Sequence, residues 1–138
     1  MPLSVSLTNA SGSRYTGKDL ICRSAQKALR GEGIKQGAVD VILVSDKHIK
    51  KLHKDWMGKS SATDVITFPI DEEPPIYGEI YISIDTARRQ AKEYGVSLRN
   101  ELCRLAVHGA LHLAGYDDAT PKQREKMHNL ENQYIIGL

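Results

Sequence analysis

Cysteine, tryptophan and phenylalanine are scarce in this chain of 138 residues, which has two cysteines, one tryptophan and one phenylalanine. Cys22 and Cys103 have neither a CxxC partner nor zinc-finger spacing, which excludes a disulfide framework and a cysteine-based finger. Both fall in helix-like segments and are expected as buried thiols in a reducing compartment. No apolar run approaches the roughly 18 residues that read as a membrane span. The first residues, Met1 to Asn9, alternate apolar and polar without a charged start before an apolar core. They do not read as a secretory signal, and a cytoplasmic location is the default expectation. A large charge excess is also missing. Nineteen Lys+Arg against 17 Asp+Glu leave +2 at pH 7, too mild a balance to argue by itself for a nucleic-acid partner. There is no internal repeat, low-complexity tract or linker, so residues 1–138 are expected to form one domain.

Hydrophobic periodicity predicts four strands and about five helices in the order βαβαββααα. Leu3 to Leu7 alternates with period two, as in a half-buried strand. Thr16 is placed to cap a helix from Lys18 to Arg30, with Leu20, Ile21, Ala25, Ala28 and Leu29 inward. Val39 to Val44 is a β-branched run typical of a buried strand. Ser45 opens a lysine-rich helix to Trp56, in which Ile49, Leu52 and Trp56 follow the helical rhythm and are expected in the core. Gly58 to Ala62 and Asp71 to Pro75 read as loops. Between them Asp64 to Phe68 reads as a strand ended by Pro69, and Gly78 to Ser83 as another. Asp85 and Ser97 are expected to cap the next two helices, ending near Tyr94 and Ala114. Thr120, Pro121 and Gln123 form a capping-box signature for the last helix, with an apolar stripe of Met127, Leu130 and Tyr134. The expected class is α+β: a mixed sheet of about four strands with helices largely on one face.

Chemistry concentrates in His108-Gly-Ala-Leu-His112-Leu-Ala-Gly115-Tyr-Asp117-Asp118. Histidines four apart share one helix face. A glycine three residues on can close the helix with a left-handed residue, so that the chain turns back and offers a carboxylate. Two imidazoles and the Asp118 carboxylate then form a three-ligand divalent site with an open position, the pattern of catalytic zinc. The helix around them is apolar almost all round and is expected to lie buried against the sheet. The alternative is a pair of hydrogen-bonded core histidines. Asp117 has two open readings: a turn residue satisfying local amides, or a hydrogen-bond partner that orients an imidazole. The HxxxHxxGxxD spacing also resembles metzincin-type proteases, but their general-base glutamate falls on Gly109 here. A metzincin-like metallopeptidase would therefore lack its base. A glycine at this position would leave room for neighbouring backbone or for a water on the ion.

The run HGALHLAGYDD resembles the HGxLHLxGYDH signature of the YbeY family, a family of bacterial endoribonucleases and rRNA maturation factors. Thr63 to Pro69 is similar to that family's TDVLSFP strand, Gly78 to Ser83 to its GDIxIS strand, and Val44 to Leu52 to its helix opening. The resemblance implies a metal-dependent endoribonuclease specific for single strands, acting in small-subunit rRNA end processing and ribosome quality control. It implies one divalent ion, Zn2+ in the first instance, held by His108, His112 and Asp118, with single-stranded RNA, rRNA and the small ribosomal subunit as partners. A non-catalytic assembly factor with a structural metal is the other reading within the family. Asp118 stands where the family has a third histidine. The family's LNxxYR asparagine and arginine are replaced by His53 and Met57. His53, Lys54 and Lys59 are the candidate RNA contacts on that segment. Lys47, Lys50, Lys51, Lys54 and Lys59 form the main basic cluster, read either as a solvated face or as a phosphate-tracking surface. His48 and His53, five apart on this helix, are expected as solvated side chains.

Overall fold

The computed structural model of the protein describes residues 2–15, 17–57, 63–71 and 75–135. Its elements follow the expected order: β1 (Ser4–Asn9), α1 (Lys18–Gly31), β2 (Gly37–Val44), α2 (Asp46–Met57), β3 (Val65–Asp71), β4 (Ile76–Ser83), α3 (Ile84–Tyr94), α4 (Leu98–Leu113) and α5 (Pro121–Tyr134). The four strands form one mixed sheet in the order β1-β2-β4-β3. β1 and β4 both run parallel to β2, while β3 pairs antiparallel with β4 and forms an edge. The result is a single α+β domain.

Period-two alternation sends side chains of β2 and β4 to opposite faces. Val39, Val41, Leu43, Ile80 and Ile82 join the large core with residues of α1 and α4. Ile42, Val44 and Ile66 face the other way and form a small second cluster with Ile49 of α2. Helices therefore cover mainly one face, and α2 partly covers the other.

Several local expectations are corrected. Gly17, not Thr16, is the N-cap residue of α1, and it makes no side-chain cap bond; Thr16 itself lies outside the described residues. β3 does not stop at Pro69 but runs to Asp71 through a register shift. An edge strand tolerates proline there because the missing N–H is not needed by a further neighbour. Ser83, not Asp85, caps α3 by accepting from the Thr86 amide. Asp85 accepts instead from the Asp46 amide at 2.9 Å and so serves the start of α2. Asp46 in turn accepts from Ser83 Oγ at 2.6 Å and Thr86 Oγ1 at 2.7 Å, and pairs with Arg89 at 2.9 Å. Burial works to raise the Asp46 pKa, but hydrogen bonds from Arg89, Ser83 and Thr86 outweigh it and bring the carboxyl down to about 2. Trp56, expected in the core, is 70% exposed, because the cluster under α2 is too small to reach its last turn. Its ring meets Phe68 edge-on, with centroids 5.8 Å apart. His53, expected as solvated, is 9% exposed. Cys103 is buried as expected, whereas Cys22 is only half-buried. The loop of residues 58–62, with Lys59, lies outside the described residues, as do residues 72–74.

Candidate metal centre

Helix α4 starts at Ser97, whose hydroxyl accepts from the Asn100 amide. Leu102, Leu105, Ala106, Val107, Ala110, Leu111 and Leu113 are all buried, as the apolar pattern predicts. Gly109 lets the helix lie close on the sheet: a β-carbon there would meet Ile80 Cγ2 at 2.6 Å. The space at this glycine is thus taken by a side chain of β4, not by backbone or by a water on the ion. A side chain at position 109 would run into the sheet, so no peptidase-type base can stand there.

His108 and His112 lie one turn apart with ring centroids 4.7 Å apart, and their Nε2 atoms are 3.1 Å from each other. The helix then closes as its spacing predicts. Gly115 has φ +103°, the Gly115 amide donates to His112 O, and the Tyr116 amide donates to Leu111 O. This pair of bonds is the Schellman closure, which requires a left-handed residue at the glycine. The hydroxyls of Tyr116 and Tyr134 both donate to the Glu32 carboxylate just beyond α1. These two phenols hold the Glu32 pKa below its ordinary value, and Glu32 pushes Tyr134 up to about 12. The tether fixes the returning loop, which delivers Asp118 Oδ2 to 3.2 Å from His108 Nε2 and 3.4 Å from His112 Nε2.

Three donor atoms thus converge with sides of 3.1, 3.2 and 3.4 Å. Donors at the corners of a tetrahedron, about 2.0–2.1 Å from a zinc ion, stand about 3.3 Å apart. The residues present therefore fit a single divalent ion. Among the described residues, His108, His112 and Asp118 are the group of this kind.

Asp117 does not contact an imidazole through the hydrogen bonds seen here; its Oδ1 accepts from the Asp118 amide at 2.8 Å, the turn role of its two readings. The orienting carboxylate is Glu131 of α5. Its Oε2 accepts from His108 Nδ1 at 2.7 Å, while its Oε1 is bridged by Arg104 at 3.2 Å. With Nδ1–H donated to Glu131, Nε2 carries the lone pair that a metal needs. Burial acts to lower the His108 pKa, but the hydrogen bond and charge of Glu131, with smaller contributions from Asp118 and Asp64, raise it overall.

Sequence reading missed Glu131, although a signal was present. It stands on the same buried stripe as Met127 and Tyr134, where a carboxylate needs a partner. Asp64 was also missed; it accepts from Gln90 at 3.3 Å and lines both cavities that meet at His108 and Asp118. Of the candidate RNA contacts, Lys54 is exposed on α2, His53 is buried there, and Lys59 is not described.

The chain is similar to known proteins along most of its length. Residues 8–138 match the family model described as Endoribonuclease YbeY. The Endoribonuclease YbeY of Persephonella marina is 37% identical over 133 residues, covering 92% of this chain and 87% of that one. The Bacillus subtilis protein of the same name is 40% identical over 123 residues, covering 80% and 78%. The solution structure of TM1509 from Thermotoga maritima is similar with a TM-score of 0.65 at 30% identity, covering 96% of this chain and 86% of that one.

Proposed function

The chain belongs to the endoribonuclease YbeY family, and from that premise we propose that it cleaves single-stranded RNA at one divalent ion held by His108, His112 and Asp118. As a member of this family it is an endoribonuclease, a hydrolase of phosphodiester bonds, and maturation of rRNA is the family's role. The finer reading is ours: the ion is Zn2+, the substrate is the end region of small-subunit rRNA, the work is done in the cytoplasm, and residues 1–138 act as one unit. The observation that carries the reading is the triangle of donor atoms, whose sides suit a tetrahedral ion.

When bound, the ion would supply Lewis-acid charge to a phosphodiester oxygen and to an attacking water. The chain's own groups set the conditions for this. Glu131 fixes the tautomer and ring plane of His108, and Arg104 holds Glu131 in place. Asp118 brings a negative charge where the family signature has a neutral imidazole. It lowers the net charge of the centre and moves its preference toward harder ions than three histidines would. Lys54, exposed on α2, is the proposed phosphate contact. It offers a point charge without the bidentate fork of an arginine.

The test is elemental analysis of the purified chain together with cleavage of a single-stranded RNA. One divalent ion per chain is expected, with cleavage lost on chelation and restored by adding Zn2+. His112→Ala is expected to cost more than the roughly 10–100-fold typical of an outer hydrogen-bond partner. Undiminished cleavage by metal-free protein would refute the reading. Unchanged occupancy in Asp118→Ala would remove Asp118 as the third ligand.

A further inference from the structure

Two cavities meet at the triad. The first, of about 530 Å³, is lined by Val96, Leu105, Met127 and Tyr94 together with charged side chains, among them Glu101 and Arg124. The second, of about 440 Å³, follows the edge strand through Val65, Thr67 and Pro69. Asp64, His108 and Asp118 line both. A strand lying across the centre therefore has room on either side of the ion, as cleavage inside a chain requires.

Glu101 is the anomaly in the first cavity. It lies seven residues before His108, two turns away on the same face of α4. It is 2% exposed, and among the described residues its Oε1 has no hydrogen-bond partner. A buried polar atom left unpaired is costly and calls for an explanation. Nothing in the metal centre uses this side chain, since Arg104 is engaged by Glu131 and Asn132.

We propose that the first cavity is a nucleobase subsite, taking the base of a nucleotide next to the scissile phosphate, with the Glu101 carboxyl hydrogen-bonded to that base's polar edge. The inference rests on the endoribonuclease reading above and extends it. The apolar part of the lining suits the face of a base, and Tyr94, 59% exposed, offers it an aromatic surface. Burial, the largest influence, pushes the Glu101 pKa up to about 7, against the opposing pull of Arg104 and with help from Asp64 and Glu131. Near neutrality part of the population is protonated and offers one donor beside one acceptor. Base edges present donors and acceptors in the same side-by-side arrangement.

The experiment uses the metal-loaded protein and a short single-stranded RNA with one defined cut. Each nucleotide flanking the cut is replaced in turn by an abasic one. One replacement is expected to lower kcat/KM by about 5- to 160-fold, the range of base stacking, and the other much less. In Glu101→Gln that penalty should shrink and the base preference at the same position should change, with metal content unaltered. Equal cleavage of the normal and both abasic substrates would overturn the subsite while leaving the endoribonuclease reading intact. The same would follow if folded, metal-loaded Glu101→Gln kept both the penalty and the preference. Failure of the metal-loaded protein to cleave any RNA would overturn the endoribonuclease reading, and the subsite with it. Should Glu101→Gln not fold, the abasic series on the unaltered protein still decides.

Discussion

Helices α2 and α4 cover opposite faces of one sheet, and they hold their polar side chains in different ways. At the end of α4 the site is tethered by other elements. Glu131 of α5 grips His108 at 2.7 Å, Arg104 grips Glu131 at 3.2 Å, and the loop beyond Gly115 is anchored through Tyr116 to Glu32. On α2 the N-terminus is fastened through Asp46, and His53 is buried. Lys47, Lys50, Lys51 and Lys54 stand exposed, and Trp56 leaves the core altogether. The difference follows from what each helix has to do. A metal needs donors placed to within a few tenths of an ångström, which takes packing and directed hydrogen bonds. A phosphate backbone can be met by mobile charges, whose attraction varies slowly with position.

The sharpest test of this contrast is Glu131→Gln. The change keeps the volume but removes the charge that selects the His108 tautomer and balances Arg104. Metal affinity is expected to fall about 10–100-fold, measured by competition with a chelator of known affinity. Unchanged affinity would mean that Glu131 merely packs, and the tethering argument for α4 would fail.

Legibility in the sequence divides along the same line. His108, His112, Gly115 and Asp118 could be read because helix spacing and one glycine closure relate them within eleven residues. The α5 capping box is likewise local, and both of its bonds are present. Glu131 lies 23 residues from His108, and its role exists only once α5 docks on α4. Asp85 behaves in the same way, since the amide it satisfies is 39 residues away on another helix. Trp56 misleads for a related reason. Periodicity identifies the inner face of a helix but not where the surface beneath it ends. Pro69 reads as a stop because a central strand would require one there, and the edge position of β3 is a property of the whole sheet.

A smaller effect is expected where α4 is seated on the sheet. Gly109→Ala places a β-carbon 2.6 Å from Cγ2 of Ile80, a fully buried, β-branched side chain with little freedom to turn away. Overpacking of this kind costs about 1–3 kcal/mol, and the better helix propensity of alanine returns at most about 1 kcal/mol. Urea unfolding should therefore show a net loss on the order of 1 kcal/mol. A variant as stable as the parent would show that the helix has slack against β4, and that close seating is not what positions the histidines.

The smallest change in stability belongs to α2. Replacing Lys50, Lys51 and Lys54 together by glutamine alters exposed side chains only, so unfolding should move by no more than about 0.5 kcal/mol, and metal affinity should not move at all. RNA binding is where the change should be felt. Each lysine that no longer neutralises a phosphate lowers the slope of log affinity against log salt by about 0.7 for a single strand. The variant should therefore bind RNA more weakly at low salt and converge with the parent as salt rises. A slope identical to the parent's would reduce the lysines to a solvated face. Loss of cleavage as complete as that caused by His112→Ala, at a salt concentration where RNA still binds, would join α2 to the catalytic centre. The division between a helix that does the chemistry and one whose exposed lysines gather substrate would then no longer hold.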